Sequence, residues 1–243
     1  MNKDRLFTNE NFDNKSFSFN DDVAKVFDDM IVRSVPMIES VHYLILDFCA
    51  KYFTNTSVKI LDLGCSTGAF LKMLYSHRFK KNCTHYTGLD QSRQMINQLN
   101  KFAPSVEGIK VSTLCDSLMN VKNLPNNDIV ILNLVLQFIP LKFRGNILKH
   151  VYNCLPKNGI VVIVEKIKHN DSHIHDSFKQ VYYDFKRKNR YSDEEIYNKE
   201  KALKNVLVPL TILDNKNMIK ESGFSYVTTF FQWMNFVGFI AKK

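Results

Sequence analysis

The sequence predicts an α/β fold in which a mostly parallel sheet carries helices on both faces. The main observation is that short apolar, strand-like runs alternate with segments of helical periodicity through the middle of the chain. A second observation is a glycine-bearing turn directly after the first of these runs, and a third is a closely spaced pair of runs at the end of the chain. Alternation of this kind is typical of parallel sheets with helical crossovers.

The first part of the chain is predicted to be an arm followed by two helices. Residues 1–20 are polar and mixed in charge, so we expect a loosely held arm that precedes any regular structure. From Asp21 onward apolar residues recur on one helical face, and Pro36 is expected to end this helix. A second helix is expected from about Met37 to Phe53. Residues 21–243 are interpreted as one domain.

The strands and helices of the sheet follow in order. Strands are predicted over residues 58–63, 85–89, 109–114, 129–134 and 160–165, and helices after Gly68, over 94–102 and over 142–154. The charged stretch that follows carries no strand signal, so residues 169–205 are predicted to form a helical insertion. Within it, Ser192 and Glu195 have capping-box spacing, which predicts a helix from Asp193 to about Leu203.

The chain ends in two further predicted strands, residues 224–231 and 235–240. The turn between them is too short for a parallel crossover, so they should form an antiparallel hairpin. A seven-stranded, Rossmann-like sheet with a terminal antiparallel hairpin and a helical insertion before the last strands is typical of class I methyltransferases.

Composition narrows the function classes. The formal net charge is +9, but the lysines are scattered, so a solvated surface is favoured over a nucleic-acid site. The N-terminus lacks the apolar region of a signal peptide, and no apolar run has membrane-spanning length, which favours a cytoplasmic protein without a membrane partner. The five cysteines form no Cys-x-x-Cys pair and the histidines show no ligand spacing, so we predict neither disulfides nor a metal.

The turn after the first strand is the main candidate for a binding site. It reads Gly64-x-x-x-Gly68 with Ser66 between the glycines, whereas a dinucleotide enzyme has G-x-G-x-x-G to seat a pyrophosphate. This spacing suits a nucleoside without a pyrophosphate. Asp90 ends the second strand, where acidic residues of such folds bind ribose hydroxyls. The alternative is that these are ordinary turn glycines and that Asp90 caps the next helix.

Polar residues also follow the third and fourth strands. Asp116 and Ser117 come after the third strand, where a carboxylate can accept the adenine amine, and Asn133 lies at the end of the fourth. Ligands of open α/β sheets bind at these carboxyl ends. Alternatively, Asp116 is a turn residue and Asn133 a buried amide satisfied by backbone. No G-x-S-x-G elbow is present, which argues against a hydrolase.

Longer stretches of the sequence resemble one family, the carboxy-S-adenosyl-L-methionine synthases, from about Phe19 to Lys243. The shared stretches are VFDDMIVRSVP at 26–36, DLGCS at 62–66, LNLVLQF at 132–138, EK at 165–166, DFKR at 184–187 with YS at 191–192, and FQ at 231–232 with NF at 235–236. Several of these are peculiar to this family among methyltransferase-like proteins.

The resemblance implies a transferase that converts S-adenosyl-L-methionine and prephenate to carboxy-S-adenosyl-L-methionine and phenylpyruvate. It also implies that the enzyme is a homodimer. Its product would serve the modification of a tRNA wobble uridine to cmo5U, in which a later enzyme contacts the tRNA. By resemblance the cofactor, S-adenosyl-L-methionine or its carboxylated form, contacts the following positions: Ile38, Gly64, Cys65, Ser66, Asp90, Gln91, Asp116, Ser117 and Asn133.

Two positions depart from the family pattern. Ile38 stands where the family has a tyrosine, and Glu200 stands where it has an arginine that holds the carboxylate of the carboxylated cofactor. A planar guanidinium suits that task, whereas a glutamate would repel the group. Lys201 adjoins Glu200, but on a helix the two are displaced by about 100°. The alternative is that Lys201 reaches the pocket and Glu200 faces solvent.

Two other functions therefore stay open. One is methyl transfer from S-adenosyl-L-methionine to a small acceptor, which the loss of the arginine favours. The other is a non-catalytic cofactor-binding partner in tRNA modification. The residues alone identify neither a catalytic base nor the residues that bind prephenate.

Overall fold

The computed structural model describes residues 3–12, 15–54 and 57–243. The helices are α1 (Asp21–Ser34), α2 (Ile38–Tyr52), α3 (Ala69–Ser76), α4 (Arg93–Phe102), α5 (Leu141–Cys154), α6 (Ser172–Lys188), α7 (Asp193–Leu203) and α8 (Ile212–Glu221). The strands are β1 (Val58–Leu63), β2 (Cys83–Asp90), β3 (Lys110–Cys115), β4 (Ile129–Asn133), β5 (Ile160–Lys166), β6 (Tyr226–Trp233) and β7 (Phe236–Lys242). Short 3₁₀ helices lie at Arg78–Lys81, Ala103–Ser105 and Leu136–Phe138.

The strands form one seven-stranded sheet in the order β3-β2-β1-β4-β5-β7-β6. The first five strands of that order are parallel, and β7 is antiparallel to both β5 and β6. The predicted sheet with its terminal antiparallel hairpin is therefore confirmed. The order reverses between β1 and β4, which opens a crevice at the carboxyl ends of these two strands.

Both faces of the sheet are buried, which explains why the central strands read as continuous apolar runs. In β4, Ile129 and Ile131 belong to the core that faces α2, α3 and α4. Val130 and Leu132 point to the opposite face, towards α5 and α8. All four side chains are fully buried, because successive residues of a strand point to opposite faces and helices cover both faces of this sheet.

The charged stretch folds as the predicted helical insertion, which consists of α6 and α7. Ser192 and Glu195 form the expected capping box at the start of α7, with the Ser192 N–H donating to the Glu195 carboxylate at 2.8 Å. Helix α8 was not among the predicted elements. Its signal is a second capping box, in which Thr211 caps the helix and Asp214 takes the place usually held by glutamate.

The expectation of a loosely held arm is wrong for the part of the arm that the structure describes. Asp4 is fully buried, and Phe7 is 6% exposed in an aromatic cluster against α1. The Arg33 guanidinium donates to the Asp4 carbonyl, and the Asn198 amide donates to the Phe7 carbonyl. Residues 1–2 and 13–14 of the predicted arm lie outside the described residues.

None of the described helices is both long enough and apolar enough to cross a membrane.

Candidate functional site

A cavity of about 1150 Å³ opens at the carboxyl ends of β1, β2, β3 and β4. Its walls include parts of α1, α2, α6 and α7, so the insertion closes over the crevice in the sheet. All eleven residues named from the sequence line this one cavity: Ile38, Gly64, Cys65, Ser66, Asp90, Gln91, Asp116, Ser117, Asn133, Glu200 and Lys201. The topology thus brings together side chains that lie far apart in the sequence.

The turn after β1 is shaped by backbone conformation. Gly64 has a φ of +77°, and a Cβ at this position would collide with the side chain of Val135. Both the positive φ and the close approach require glycine. Ser66 also has a positive φ, of 51°, and its N–H donates to the Asp90 carboxylate at 3.0 Å. The carboxylate at the end of β2 therefore fixes the loop that follows β1.

Asp90 is a fixed acceptor in the cavity wall. Its second carboxylate oxygen accepts the Ser92 N–H at 2.8 Å. Burial raises the pKa of Asp90, while the backbone donors of Ser92 and Ser66 oppose that rise. The residue that caps α4 is Ser92, whose hydroxyl accepts the Met95 N–H. The alternative in which Asp90 is the helix cap is therefore wrong.

Asp116 is both a turn residue and part of the cavity wall. One of its carboxylate oxygens accepts the Ser117 N–H at 2.7 Å and the Asn120 side-chain amide at 3.2 Å. These bonds fix the loop after β3. The carboxylate keeps further acceptor capacity at the edge of the cavity, because an ionised carboxyl offers about four lone-pair sites.

Asn133 is a partly buried side chain whose buried Oδ1 is an unused acceptor. Its amide Nδ2 lies 2.7 Å from His42 Nε2, while its Oδ1 has no hydrogen-bond partner among the described residues. Burial lowers the pKa of His42 to about 4, so this imidazole is neutral at neutral pH and can accept the amide proton. The alternative in which backbone satisfies Asn133 is therefore wrong. The side chain of Asn133 lines the cavity, and its buried Oδ1 lacks a donor that the described residues could supply.

The two departures from the family pattern have different surroundings. Ile38 is buried against Val35, Tyr182 and Phe236 and gives the cavity an apolar wall. Glu200 is about half exposed, and its carboxylate forms an ion pair with Lys179 and accepts a hydrogen bond from the Tyr183 hydroxyl. Its negative charge is thus compensated at the cavity wall.

The lysines on either side of Glu200 face different environments. Lys199 is 5% exposed, and its ammonium donates to Ser34 Oγ at 2.9 Å and lies 3.8 Å from the Asp4 carboxylate. Lys201 is exposed at the rim of the cavity. The inward-facing lysine of α7 is therefore Lys199, one position before Glu200.

Among the cavity-lining residues that the sequence did not single out are Lys166, Tyr182 and Lys186. The ammonium groups of both lysines lie close to the Tyr182 ring, at 4.6 Å and 4.9 Å from its centroid. Both lysines belong to stretches shared with the synthases, but the sequence alone indicates no role for either of them.

The described residues contain no group of three or more His, Cys, Asp or Glu side chains arranged to hold a metal ion.

Comparison with known proteins identifies the family. A family model described as a methyltransferase domain matches residues 60–159. A carboxy-S-adenosyl-L-methionine synthase from Trichodesmium erythraeum is 36% identical over 99% of this chain and 94% of its own length. The synthase of the same name from Campylobacter hominis is 37% identical over 99% of this chain and all of its own length. The chain belongs to the carboxy-S-adenosyl-L-methionine synthase family. This membership confirms the predicted resemblance and the prediction of a transferase-type enzyme.

Solved structures show the fold that this synthase family member shares with methyltransferases. An O-methyltransferase family protein from Burkholderia thailandensis superposes with a TM-score of 0.65 at 14% identity, over 98% of this chain and 63% of that chain. PigF with SAH gives a TM-score of 0.63 at 13% identity, over 92% of this chain and 60% of that chain. At these identities the likeness concerns the fold alone, and it confirms the predicted class I methyltransferase architecture.

Proposed function

We propose that this chain converts S-adenosyl-L-methionine and prephenate to carboxy-S-adenosyl-L-methionine and phenylpyruvate. The observation that carries the proposal is full-length similarity to proteins named as carboxy-S-adenosyl-L-methionine synthases, at 34–37% identity. We further propose that the reaction takes place in the cytoplasm, that the enzyme is a homodimer, and that the product serves tRNA wobble-uridine modification without direct contact between this chain and tRNA.

The cavity fits S-adenosyl-L-methionine in size and in the chemistry of its walls. In this proposal, the glycine turn lies against the nucleoside, Asp90 accepts the ribose hydroxyls and Asp116 accepts the adenine amine. Asn133, whose Oδ1 has no partner among the described residues, lies beside the sulfonium end of the cofactor in this proposal. The bound sulfonium would supply a methyl group whose protons are acidified by the neighbouring positive charge.

The proposed reaction balances without an oxidant or a metal ion. Prephenate loses carbon dioxide and a hydroxide ion as its ring becomes aromatic, which gives phenylpyruvate. The methyl carbon loses one proton and forms a bond to the carbon of the carbon dioxide. The proton and the hydroxide together give water. The protein's contribution is to hold the two reactants in contact and to exclude solvent.

One experiment tests this function directly. The purified protein, incubated with S-adenosyl-L-methionine and prephenate, should release phenylpyruvate and form a cofactor that is heavier by the elements of carbon dioxide. Prephenate alone should give only its slow spontaneous decay. If phenylpyruvate release does not depend on S-adenosyl-L-methionine, the proposed function is wrong.

A second candidate is methyl transfer to a small acceptor, and Glu200 favours it because this position lacks the guanidinium of the family. The same incubation separates the two functions by mass. A methyltransferase would leave S-adenosyl-L-homocysteine and a methylated acceptor, and it would form no carboxylated cofactor.

A further inference from the structure

The part of the cavity formed by β5 and α6 carries two lysines that form no ion pair among the described residues. Lys166 ends β5, and Lys186 lies in the last turn of α6. Both line the cavity. Lys186 is only 4% exposed, which is rare for a lysine that has no anionic partner.

The other charged groups nearby already have partners. Glu200 pairs with Lys179. Asp4 lies against Lys199, and Asp29 accepts a hydrogen bond from Arg33. Among the described residues, neither Lys166 nor Lys186 donates a side-chain hydrogen bond or forms an ion pair, and their contacts are with the ring of Tyr182. Two lysine side chains at this wall are therefore left without an anionic partner.

Tyr182 holds the two lysines near each other. Its hydroxyl donates to the Ser34 carbonyl at 2.9 Å, and its ring packs edge-on against Phe236 at 5.3 Å. The ring is therefore fixed at both ends. Both ammonium groups lie near the same ring, at 4.6 Å and 4.9 Å from its centroid, and both side chains line the same cavity, so both are available to a ligand bound there.

The protonation of these lysines points in the same direction. Burial lowers the pKa of Lys166 to about 8. Burial lowers the pKa of Lys186 well below its usual value, and the positive charges of Lys199 and Lys166 lower it further. An anion bound beside the two lysines would raise the pKa of both, because an opposite charge favours the charged form.

We propose that Lys166 and Lys186, held by Tyr182, form a carboxylate-binding subsite in the cavity wall, separate from the residues assigned to the nucleoside. This inference rests on the proposed function. Two ligands of that reaction carry a suitable carboxylate: the organic acid prephenate and the carboxylated cofactor. The α-carboxylate of S-adenosyl-L-methionine is common to both forms of the cofactor, so that molecule is the reference ligand.

The test compares three ligands on five proteins. The variants are Lys166→Met and Lys186→Met, which keep the aliphatic volume and remove the charge, Lys186→Arg, which keeps the charge, and Lys188→Met. Lys188 lies exposed on the same helix and is the matched control. Calorimetry measures the binding of S-adenosyl-L-methionine, carboxy-S-adenosyl-L-methionine and prephenate, and thermal unfolding checks that each variant is folded.

Each methionine variant at a cavity lysine should weaken one carboxylate ligand by about thirty-fold, because a buried charge partner is lost. Binding of S-adenosyl-L-methionine should stay within about two-fold of wild type. Lys186→Arg should recover part of the affinity, and Lys188→Met should change nothing. Selective loss for prephenate places the co-substrate at the subsite, whereas selective loss for the carboxylated cofactor places the product there.

The subsite is contradicted if the two folded methionine variants bind all three ligands like wild type. It is also contradicted if they lose S-adenosyl-L-methionine equally, or if wild-type protein binds neither prephenate nor the carboxylated cofactor. Failure of the proposed function looks different. In that case wild-type protein binds the carboxylates but forms no carboxylated cofactor and releases no phenylpyruvate.

Discussion

The ammonium group of Lys179 forms an ion pair with the carboxylate of Glu200. Lys179 belongs to α6 and Glu200 to α7, so the contact joins the two helices of the insertion at the cavity wall. The pair places a cation beside the position where the family resemblance implies an arginine. A carboxylate bound at this wall would meet a compensated glutamate, and the repulsion between the two negative charges would be reduced.

The first prediction concerns this ion pair. Lys179→Met should weaken binding of carboxy-S-adenosyl-L-methionine by about two- to five-fold, since half-exposed ion pairs contribute about 0.2–1 kcal/mol. Glu200→Gln should tighten binding of the carboxylated cofactor by a similar factor, because Lys179 then has no ion-pair partner among the described residues and is available to the ligand carboxylate. S-adenosyl-L-methionine should be almost unaffected in both. Calorimetric titration of the two cofactors measures this, and equal changes for both ligands would show that the pair does not sense the extra carboxylate.

The second prediction concerns Asp90. Asp90→Ala removes the acceptor for the Ser66 and Ser92 N–H groups and the proposed acceptor for the ribose. Hydrogen bonds to charged groups contribute about 1.5–3 kcal/mol, so cofactor affinity should fall by about ten- to a hundred-fold. Asp116→Ala is the comparison, because it alters the other proposed nucleoside contact and leaves the glycine turn intact. Unchanged calorimetric affinity of Asp90→Ala would contradict the assignment of the end of β2.

The third prediction concerns pH. Asp62 is buried in β1 and accepts the Tyr86 hydroxyl at 2.5 Å; burial raises its pKa to about 7, from 3.8. The folded protein therefore keeps this proton between pH 4 and pH 7, while the unfolded chain loses it. The free energy of unfolding of wild type should fall relative to Asp62→Asn as pH rises through this window, by up to about 1.4 kcal/mol per pH unit.

Urea unfolding of wild type and Asp62→Asn at pH 5, 6, 7 and 8 measures this difference. The difference isolates Asp62, because the other shifted groups are common to both proteins. It should level off above pH 7, where both folded and unfolded wild type have lost the proton. A difference that stays constant from pH 5 to pH 8 would mean that Asp62 is already ionised in the folded state.

The sheet and the cavity wall at the carboxyl ends of β1–β4 could be predicted because their signals are local. The apolar run that ends at Leu63, the glycine at 64 and the polar residue that ends each strand all lie within short segments. The rule that ligands bind at carboxyl ends of parallel strands then places them together. The packing of β4 between two helical layers follows in the same way from its own continuous apolar run, residues 129–132.

The rest of the cavity could not be predicted because it depends on contacts between distant segments. Lys166 and Lys186 are twenty residues apart and belong to a strand and a helix, and only the fold brings both to Tyr182. Periodicity cannot show that Lys179 lies opposite Glu200. The helix α8 is a different case, because its Thr211–Asp214 capping box was readable but uses aspartate in place of the usual glutamate.

The polarity of the N-terminal arm predicts a loosely held segment and does not reveal that one of its polar residues anchors it. Asp4 is fully buried, accepts the Tyr191 hydroxyl at 2.6 Å and lies 3.8 Å from the buried ammonium of Lys199. Further along the arm, Phe17 and Phe19 line the cavity, and Phe19 packs edge-on against Phe138 at 5.2 Å. The arm is thus part of both the core and the wall of the site.

The fourth prediction follows from this anchoring. Asp4→Ala leaves Lys199 as a buried cation whose remaining contacts are the Ser34 hydroxyl and the rings of Phe7 and Tyr191, so the free energy of unfolding should fall by about 3 kcal/mol. Asp22→Ala is the matched control, because Asp22 pairs with Lys25 on the exposed surface of α1 and should change stability by less than about 0.5 kcal/mol. Urea unfolding measures both. Affinity for S-adenosyl-L-methionine should also fall in Asp4→Ala, since Phe17 and Phe19 lose their support at the cavity wall. Equal stability of the two variants would show that the arm does not depend on Asp4 for its docking.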